Sequence, residues 1–518
     1  MKRTLLTLLL AGGIGCSFAQ DESPAELDPI TRFSQTITED DYRSHVYFLA
    51  DDLLEGRETG ERGMDLAALY IRTRFMGFGL KPLMSGDSYY QPYSLTKSEI
   101  LSANLTIGKK KFSYGEDFLF MGGDVRSAFS GDYVFVGYGS TSESYNNLEN
   151  LQLAGKIAVM MPGNPDNPSE GIRSKMMSAY SRAEALKSAG AKGVMIMLED
   201  QLFKIMGRFA SPQFLSVGDD EEPSSNMLFL SEETSATILK AGGFDMESMQ
   251  ARLKERADVS NLTFKKSTMA FEPNFDSERK VVNNVLGFLE GTDLKDEVLV
   301  ITGHFDHIGI NKNGEINNGA DDDASGTSTV LELAQAFSIA AENGYRPRRS
   351  ILFMTVSGEE KGLLGSGYYT DHPVIPLENT VANLNIDMIG RTDTQIKGTA
   401  KEGNYVFLIG SDKLSTDLHN ISEAANEQYT GLDLDYKYND ENDPNRYYYR
   451  SDHYNFAKNN IPVIFYFTGT HEDYHKPTDD AHKIQYDQCV KIARLVFATA
   501  WELANRDQRI IVDKASQN

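Results

Sequence analysis

From about residue 273 onward, short apolar runs alternate with segments whose apolar residues recur at helical spacing. Glu297 to Thr302, Ser350 to Val356, Val381 to Ile386, Tyr405 to Ile409 and Val463 to Phe467 predict strands. Ser325 to Ala341, Thr416 to Gln428 and Ile484 to Asn505 predict helices. Alternation of this kind predicts an α/β fold, a mostly parallel central sheet with helices on both faces.

The pattern before residue 273 divides in two. Residues 24–125 open on helical signals, with apolar positions over His45 to Leu54 and a helical repeat of Leu66, Ala67, Tyr70, Ile71 and Phe75. Residues 126–272 read differently. Val134 to Gly139 and Gly155 to Met161 predict strands closed by glycine or Pro-Gly. Lys175 to Ser188 predicts a helix, and Val194 to Met197 another strand. The expected organisation is an N-terminal part (24–125), an insert (126–272) and a main unit (273–518).

Length agrees with more than one unit, since 518 residues exceed an ordinary domain. The formal charge of −24 excludes a nucleic-acid binder, which needs a basic face. The N-terminus predicts export. Met1-Lys2-Arg3 is a short basic region, and Thr4 to Gly15 is an apolar run too short for a permanent membrane anchor. Ser17-Phe18-Ala19 offers a cleavage site, making residues 1–19 a signal peptide and the product periplasmic or secreted. Lipid attachment at Cys16 ranks second, because Gly13-Ile14-Gly15 lacks the usual upstream leucine. No later run is apolar enough to span a bilayer. With Cys16 removed, Cys489 is left without an intrachain partner, and its helical setting predicts a buried core thiol.

The chemistry falls at the ends of the predicted strands. Gly303-His304-Phe305-Asp306-His307 follows one strand, and there Asp306 is placed to orient His304. Asn318 to Gly326 carries three consecutive carboxylates, Asp321, Asp322 and Asp323, which repel unless a counter-charge sits among them. Gly358-Glu359-Glu360 follows a second strand, Asp387 ends a third, and His471 to His475 lies past a fourth. Alone, each reads more simply as a satisfied polar residue, a cap or a dipole-favoured carboxylate. Together they place two imidazoles and three carboxylates along one edge of a parallel sheet, where ligands gather. That mixed nitrogen and oxygen set suits two zinc ions sharing one carboxylate.

These segments, in this order, resemble the co-catalytic zinc exopeptidases of the bacterial leucyl-aminopeptidase type, a group that includes glutamate-carboxypeptidase-like enzymes. The matching stretches are Gly303 to Asp306, Gly319 to Gly326, Ser357 to Gly362, Asn385 to Gly390 and Tyr474 to His475. The resemblance implies that His304 and Asp387 hold one zinc, Glu360 and His475 the other, and that Asp322 bridges them. It implies Glu359 as general base and acid, Asp306 as the orienting carboxylate, and a cis peptide after Asp322. By the same resemblance an oxyanion-stabilising tyrosine falls at Tyr448, four residues before Asp452. Residues 126–272 resemble a protease-associated domain, a β-rich insert of exported peptidases. The likeness is weakest over Asp87 to Asp124.

The expected activity is removal of N-terminal residues from peptides. Arg391, Arg446 and Arg450 lie near the motifs and keep a carboxypeptidase in view, because a terminal carboxylate needs a cationic grip. A glutaminyl-cyclase-like transferase would use one zinc and lack the insert. A non-catalytic receptor-like relative would have degraded ligands, which this chain does not.

Overall fold

The structure is a computed structural model. It describes residues 27–514 apart from 122–124, 126, 143–144, 147, 149–150, 165–170, 209, 218–225 and 257–267. The expected signal peptide and Cys16 lie outside the described residues.

The main sheet runs in the order Asp433–Asp435, Tyr405–Ile409, Val463–Phe467, Thr380–Ile386, Leu294–His304, Arg349–Val356 and Thr268–Leu289. Leu294–His304 sits between two parallel neighbours, Arg349–Val356 and Thr380–Ile386, and Val463–Phe467 extends the parallel set. Tyr405–Ile409 and Thr268–Leu289 join antiparallel at the two flanks. Arg349–Val356, Thr380–Ile386 and Val463–Phe467 are buried along their whole length, as strands covered on both faces must be.

Two long helices cover one face. Gly326–Glu342 is buried on nearly every side, and Tyr486–Asn505 packs beside it. Cys489 lies within that core as a buried free thiol. The short helices Leu364–Asp371 and His453–Ala457 contribute Tyr369 and Phe456 to the core on the opposite face. The N-terminal helices Pro29–Ser34, Glu39–Leu49 and Arg62–Gly77 place Phe33, Tyr42, Val46, Ile71 and Phe75 in the same core as Gly326–Glu342. The N-terminal part and the main unit therefore share one interior.

A ribbon of two long strands leads out of this body. Tyr90–Ile107 pairs antiparallel with Thr268–Leu289 from Tyr90 opposite Val285 to Ile107 opposite Met269, with one bulge between Ile100 and Ser102. Beyond it lies a lobe of parallel strands, Phe129–Phe135, Ile157–Met160, Gly193–Met197 and Met227–Leu230. Its helices are Ile172–Ser188, Asp200–Gly207, Glu232–Ala241 and Met246–Lys254. The lobe combines these strands with helices; in Ile172–Ser188, close to the expected Lys175 to Ser188, Ala179, Ala183 and Leu186 recur every three to four residues and are buried against the strands. The lobe also draws Ala103, Leu105, Ile107, Phe112, Phe118 and Phe120 into its core, from the stretch before residue 126.

Candidate metal centre

Each strand of the parallel set delivers polar side chains at its carboxyl end. Leu294–His304 ends on His304 itself. Arg349–Val356 runs into Ser357, Gly358, Glu359 and Glu360, and Thr380–Ile386 into Asp387. The acidic turn Asp321 to Asp323 rides on the start of the helix Gly326–Glu342, which rests directly on these strand ends. That close approach needs glycine. A Cβ on Gly326 would collide with the carbonyl oxygen of Ile386 and the carboxylate of Asp323, and one on Gly303 would lie 3.1 Å from the Gly326 backbone.

Asp322 is the centre of the cluster. His304 Nε2 lies 3.3 Å from its Oδ1, 3.6 Å from Asp387 Oδ1 and 3.9 Å from Glu359 Oε2. On the other side, His475 Nε2 lies 3.0 Å from Asp322 Oδ2 and 3.2 Å from Glu360 Oε2. The two oxygens of one carboxylate thus face two separate nitrogen and oxygen groups. All five expected ligands, His304, Asp322, Glu360, Asp387 and His475, come together, with Glu359 beside His304.

The atoms of both groups suit a cation. His304 Nε2 is buried and has no hydrogen-bond partner, while its Nδ1 is 3.1 Å from the carbonyl oxygen of Asp306. An imidazole tied at one nitrogen and bare at the other is arranged as a metal ligand. Glu360 Oε1 is likewise buried without a hydrogen bond. His304, Glu359 and Asp387 can converge on one ion, and His307, Asp322 and Glu360 on another. Four carboxylates in so small a buried volume would repel strongly without cations among them.

Neighbouring groups hold the turn and the strand ends. Asp323 accepts the N–H groups of Gly326 (2.7 Å), Met388 (3.1 Å) and His304 (3.2 Å). Asp321 accepts the N–H of Gly390 at 2.6 Å and faces His471 Nε2 at 3.2 Å. Both hold the turn, and the Asp322–Asp323 peptide is cis, as the resemblance implies. Asp306 acts on two fronts. Its carbonyl faces His304, and its carboxylate accepts the Thr59 hydroxyl (2.6 Å) and the Glu359 N–H (3.1 Å). Met388, next to Asp387, and His475 hold φ of 53° and 56°. Such left-handed backbone costs a non-glycine residue about 1–2 kcal/mol and is tolerated where the surroundings demand it.

Burial raises the pKa of Glu359 well above the usual carboxylate value. His304 opposes that shift, and Glu360, Asp387 and Asp452 reinforce it.

Tyr448 is misplaced by the expectation. Its ring packs against Tyr449, His453 and Tyr454 with Lys413 above it, and it does not line the cavity over the cluster. Tyr447–Tyr449 is one 3-10 turn, so successive side chains point about 120° apart and only one can face inward. That one is Tyr447. The cavity is lined by Asp322, Glu359, Glu360, Asp387, Met388, Tyr447, Arg450, Ser451, Phe465, Phe467, Thr470 and Tyr474.

Several site residues escape a sequence reading. His307 is fully buried, with Nδ1 2.9 Å from Glu360 Oε1 and 3.8 Å from Asp322 Oδ2. It stands one residue past Asp306, and its only sequence signal is a second histidine in the same short run. Ser451 donates its hydroxyl to Asp387 Oδ2 at 2.7 Å and accepts from Asn385 Nδ2. Asp479 Oδ2 accepts the N–H groups of Asp321 (3.0 Å) and Asp322 (3.2 Å). Arg57, in the N-terminal part, is fully buried and donates to the carbonyls of Phe305, Asn318 and Gly319. Burial lowers its pKa to about 10 against the pull of Asp322, Asp323 and Asp306, so it remains a cation behind the acidic turn. Nothing in the sequence links Arg57 to residues 250 positions away.

Residues 284–500 match the family model described as peptidase family M28. A protein of Arabidopsis thaliana named "Probable glutamate carboxypeptidase AMP1" is 26% identical over 283 residues, 50% of this chain and 37% of that protein. Aminopeptidase YwaD of Bacillus subtilis (strain 168) is 23% identical over 242 residues, 44% of this chain and 46% of that protein. The matched stretch thus spans less than half the length of either relative. Among solved structures, an aminopeptidase from Aneurinibacillus sp. strain AM-1 superposes with a TM-score of 0.52 at 19% identity, covering 94% of this chain and 100% of that one. At that identity the likeness is one of fold.

Proposed function

We propose that this chain, whose residues 284–500 carry the peptidase family M28 unit, is an exported zinc-dependent exopeptidase that acts as an aminopeptidase. One observation carries the reading: Asp322 divides its two oxygens between a His304–Asp387 group and a His475–Glu360 group. Zinc fits this donor set, two imidazoles and three carboxylates. Zinc bound there supplies Lewis acidity, polarising a carbonyl and lowering the pKa of a water.

The chain's own residues do the rest. Glu359, its backbone pinned by Asp306 and its pKa raised, takes the proton from the attacking water and passes it to the departing amine. Asp306 fixes the His304 ring. The phenols of Tyr447 and Tyr474 line the cavity and take the oxyanion-donor role expected of Tyr448. Phe465, Phe467 and Met388 give the cavity an apolar wall for a substrate side chain.

Carboxylates near the cluster suit a free amine, and this favours the aminopeptidase. A carboxypeptidase is the second reading, and Arg450 in the cavity wall is what favours it. A one-zinc cyclase leaves half the ligand set unused, and a receptor role leaves Glu359 without purpose. Export rests on residues 1–19; among the described residues no helix is long and apolar enough to cross a membrane. The test is hydrolysis of amino-acid anilides against N-blocked peptides, with and without a zinc chelator. Chelator-sensitive cleavage of the anilides alone supports the aminopeptidase. Cleavage of blocked peptides alone supports the second reading.

A further inference from the structure

Three arginines stand near the motifs, and the structure separates them. Arg391 Nη2 donates to Asp473 at 2.9 Å and is committed there. Arg446 lies with its guanidinium 4.2 Å from the centre of the Tyr449 ring, and it is not part of the cavity wall. Arg450 alone of the three lines the cavity over the cluster.

Arg450 is held but not neutralised. Its guanidinium lies 5.0 Å from the centre of the Tyr447 ring and donates to the Tyr474 hydroxyl at 3.5 Å. Both partners are uncharged. No carboxylate among the described residues forms an ion pair with Arg450, in a chain with 75 acidic and 51 basic residues. A free surface arginine is ordinarily only solvated. This one is exposed but lies over the Tyr447 ring and within 3.5 Å of the Tyr474 hydroxyl, at the wall of the cavity over the cluster, where a guanidinium can meet a carboxylate.

Its chain position fixes the range. Arg450 directly precedes Ser451, whose hydroxyl is bonded to Asp387, and it contacts Tyr474, which directly precedes His475. Arg450 lines the same cavity as Asp322, Glu359 and Glu360, and the ring of its partner Tyr474 stacks on His475 with centres 3.9 Å apart, so a carboxylate met by Arg450 belongs to a substrate residue close to the scissile bond.

We propose that Arg450 receives a substrate carboxylate one or two residues from the scissile bond, which makes short peptides with a free C-terminus, or peptides acidic at that position, the preferred substrates. The inference rests on the exopeptidase reading and adds a substrate class to it. An amidated C-terminus or a neutral side chain forgoes the charge-assisted pair.

The test compares Leu-Gly, Leu-Gly amide and Leu-Glu amide on zinc-loaded wild type, Arg450→Gln and Arg450→Lys. The readout is the KM of each peptide relative to Leu-Gly amide. Wild type is expected to favour an acid over the amide by about 10- to 100-fold, the range of a charge-assisted hydrogen bond. In Arg450→Gln that ratio falls to near one, and Arg450→Lys restores part of it. Preference for Leu-Gly identifies the terminal carboxylate, and preference for Leu-Glu amide identifies a side-chain carboxylate. A wild type that treats acids and amides alike overturns the proposal, as does an unchanged ratio in Arg450→Gln. If leucine anilide and every peptide stay intact, the peptidase reading fails instead. Calorimetric binding of Leu-Gly and its amide to wild type and Arg450→Gln then still reads the same ratio.

Discussion

Asp479→Ala removes an acceptor that the bridging turn depends on. Asp479 is fully buried, and its Oδ2 takes the N–H groups of Asp321 at 3.0 Å and Asp322 at 3.2 Å. Its backbone carbonyl also takes the N–H of Ala320 at 3.1 Å, a bond the substitution leaves in place. Two buried amide donors would lose their partner, at roughly 1–3 kcal/mol each, or about 4 kcal/mol together. That cost divides between folding stability and the hold on metal, since the turn carries Asp322. If half falls on the metal, affinity drops by more than tenfold, because about 1.4 kcal/mol is one decade. Asp479→Asn keeps one acceptor oxygen and should lose about 1 kcal/mol in all. Guanidinium denaturation of the zinc-loaded proteins, together with zinc competition against a chromophoric chelator, measures both parts. Changes below about 0.5 kcal/mol in both assays for Asp479→Ala, the scale of an ordinary surface substitution, would refute the view that this carboxylate holds the turn.

Two further outcomes are expected. Asp322→Asn should bind fewer than two zinc equivalents, and elemental analysis finding two would remove Asp322 from the bridge. Glu332, buried on the helix Gly326–Glu342 beside His45, has its pKa raised to about 8 by burial first and Asp41 second. Native Glu332 therefore keeps its proton where the unfolded chain has lost it, so its contribution to stability falls as pH rises from about 4.5 to 8. Glu332→Gln should be more stable than wild type at pH 8, by on the order of 3 kcal/mol, and nearly equal at pH 4.5. Equal stabilities across that range in thermal melts would mean that Glu332 is charged and compensated in the fold.

The main sheet was legible because its strands are apolar on both faces and its helices keep one period throughout. Tyr405–Ile409 and Val463–Phe467 follow the expected bounds, and Gly326–Glu342 differs by one residue at each end. The ribbon Tyr90–Ile107 with Thr268–Leu289 was not legible. Its middle pairs Lys97 with Glu278 and Glu99 with Asp276, polar on both strands, so neither strand shows an apolar stripe there. At the site, residues carried on strand ends could be read from position, because a strand fixes where its last side chain arrives. Arg57, Asp479 and Ser451 could not, since Arg57 ends the short 3-10 helix Asp52–Arg57 and the other two lie in loops or bends, all with paths set by tertiary packing. Tyr448 lies off the cavity wall for a local reason: in a tight turn, a shift of one residue decides which of three tyrosines faces the cavity.

The central claim is tested most directly by Glu359→Gln, measured for zinc content and for turnover on the same sample. Two zinc equivalents per chain are expected, as in wild type, with kcat on leucine anilide lowered by about 10²- to 10⁴-fold. A variant that keeps its zinc and still turns over at a rate near wild type would contradict it.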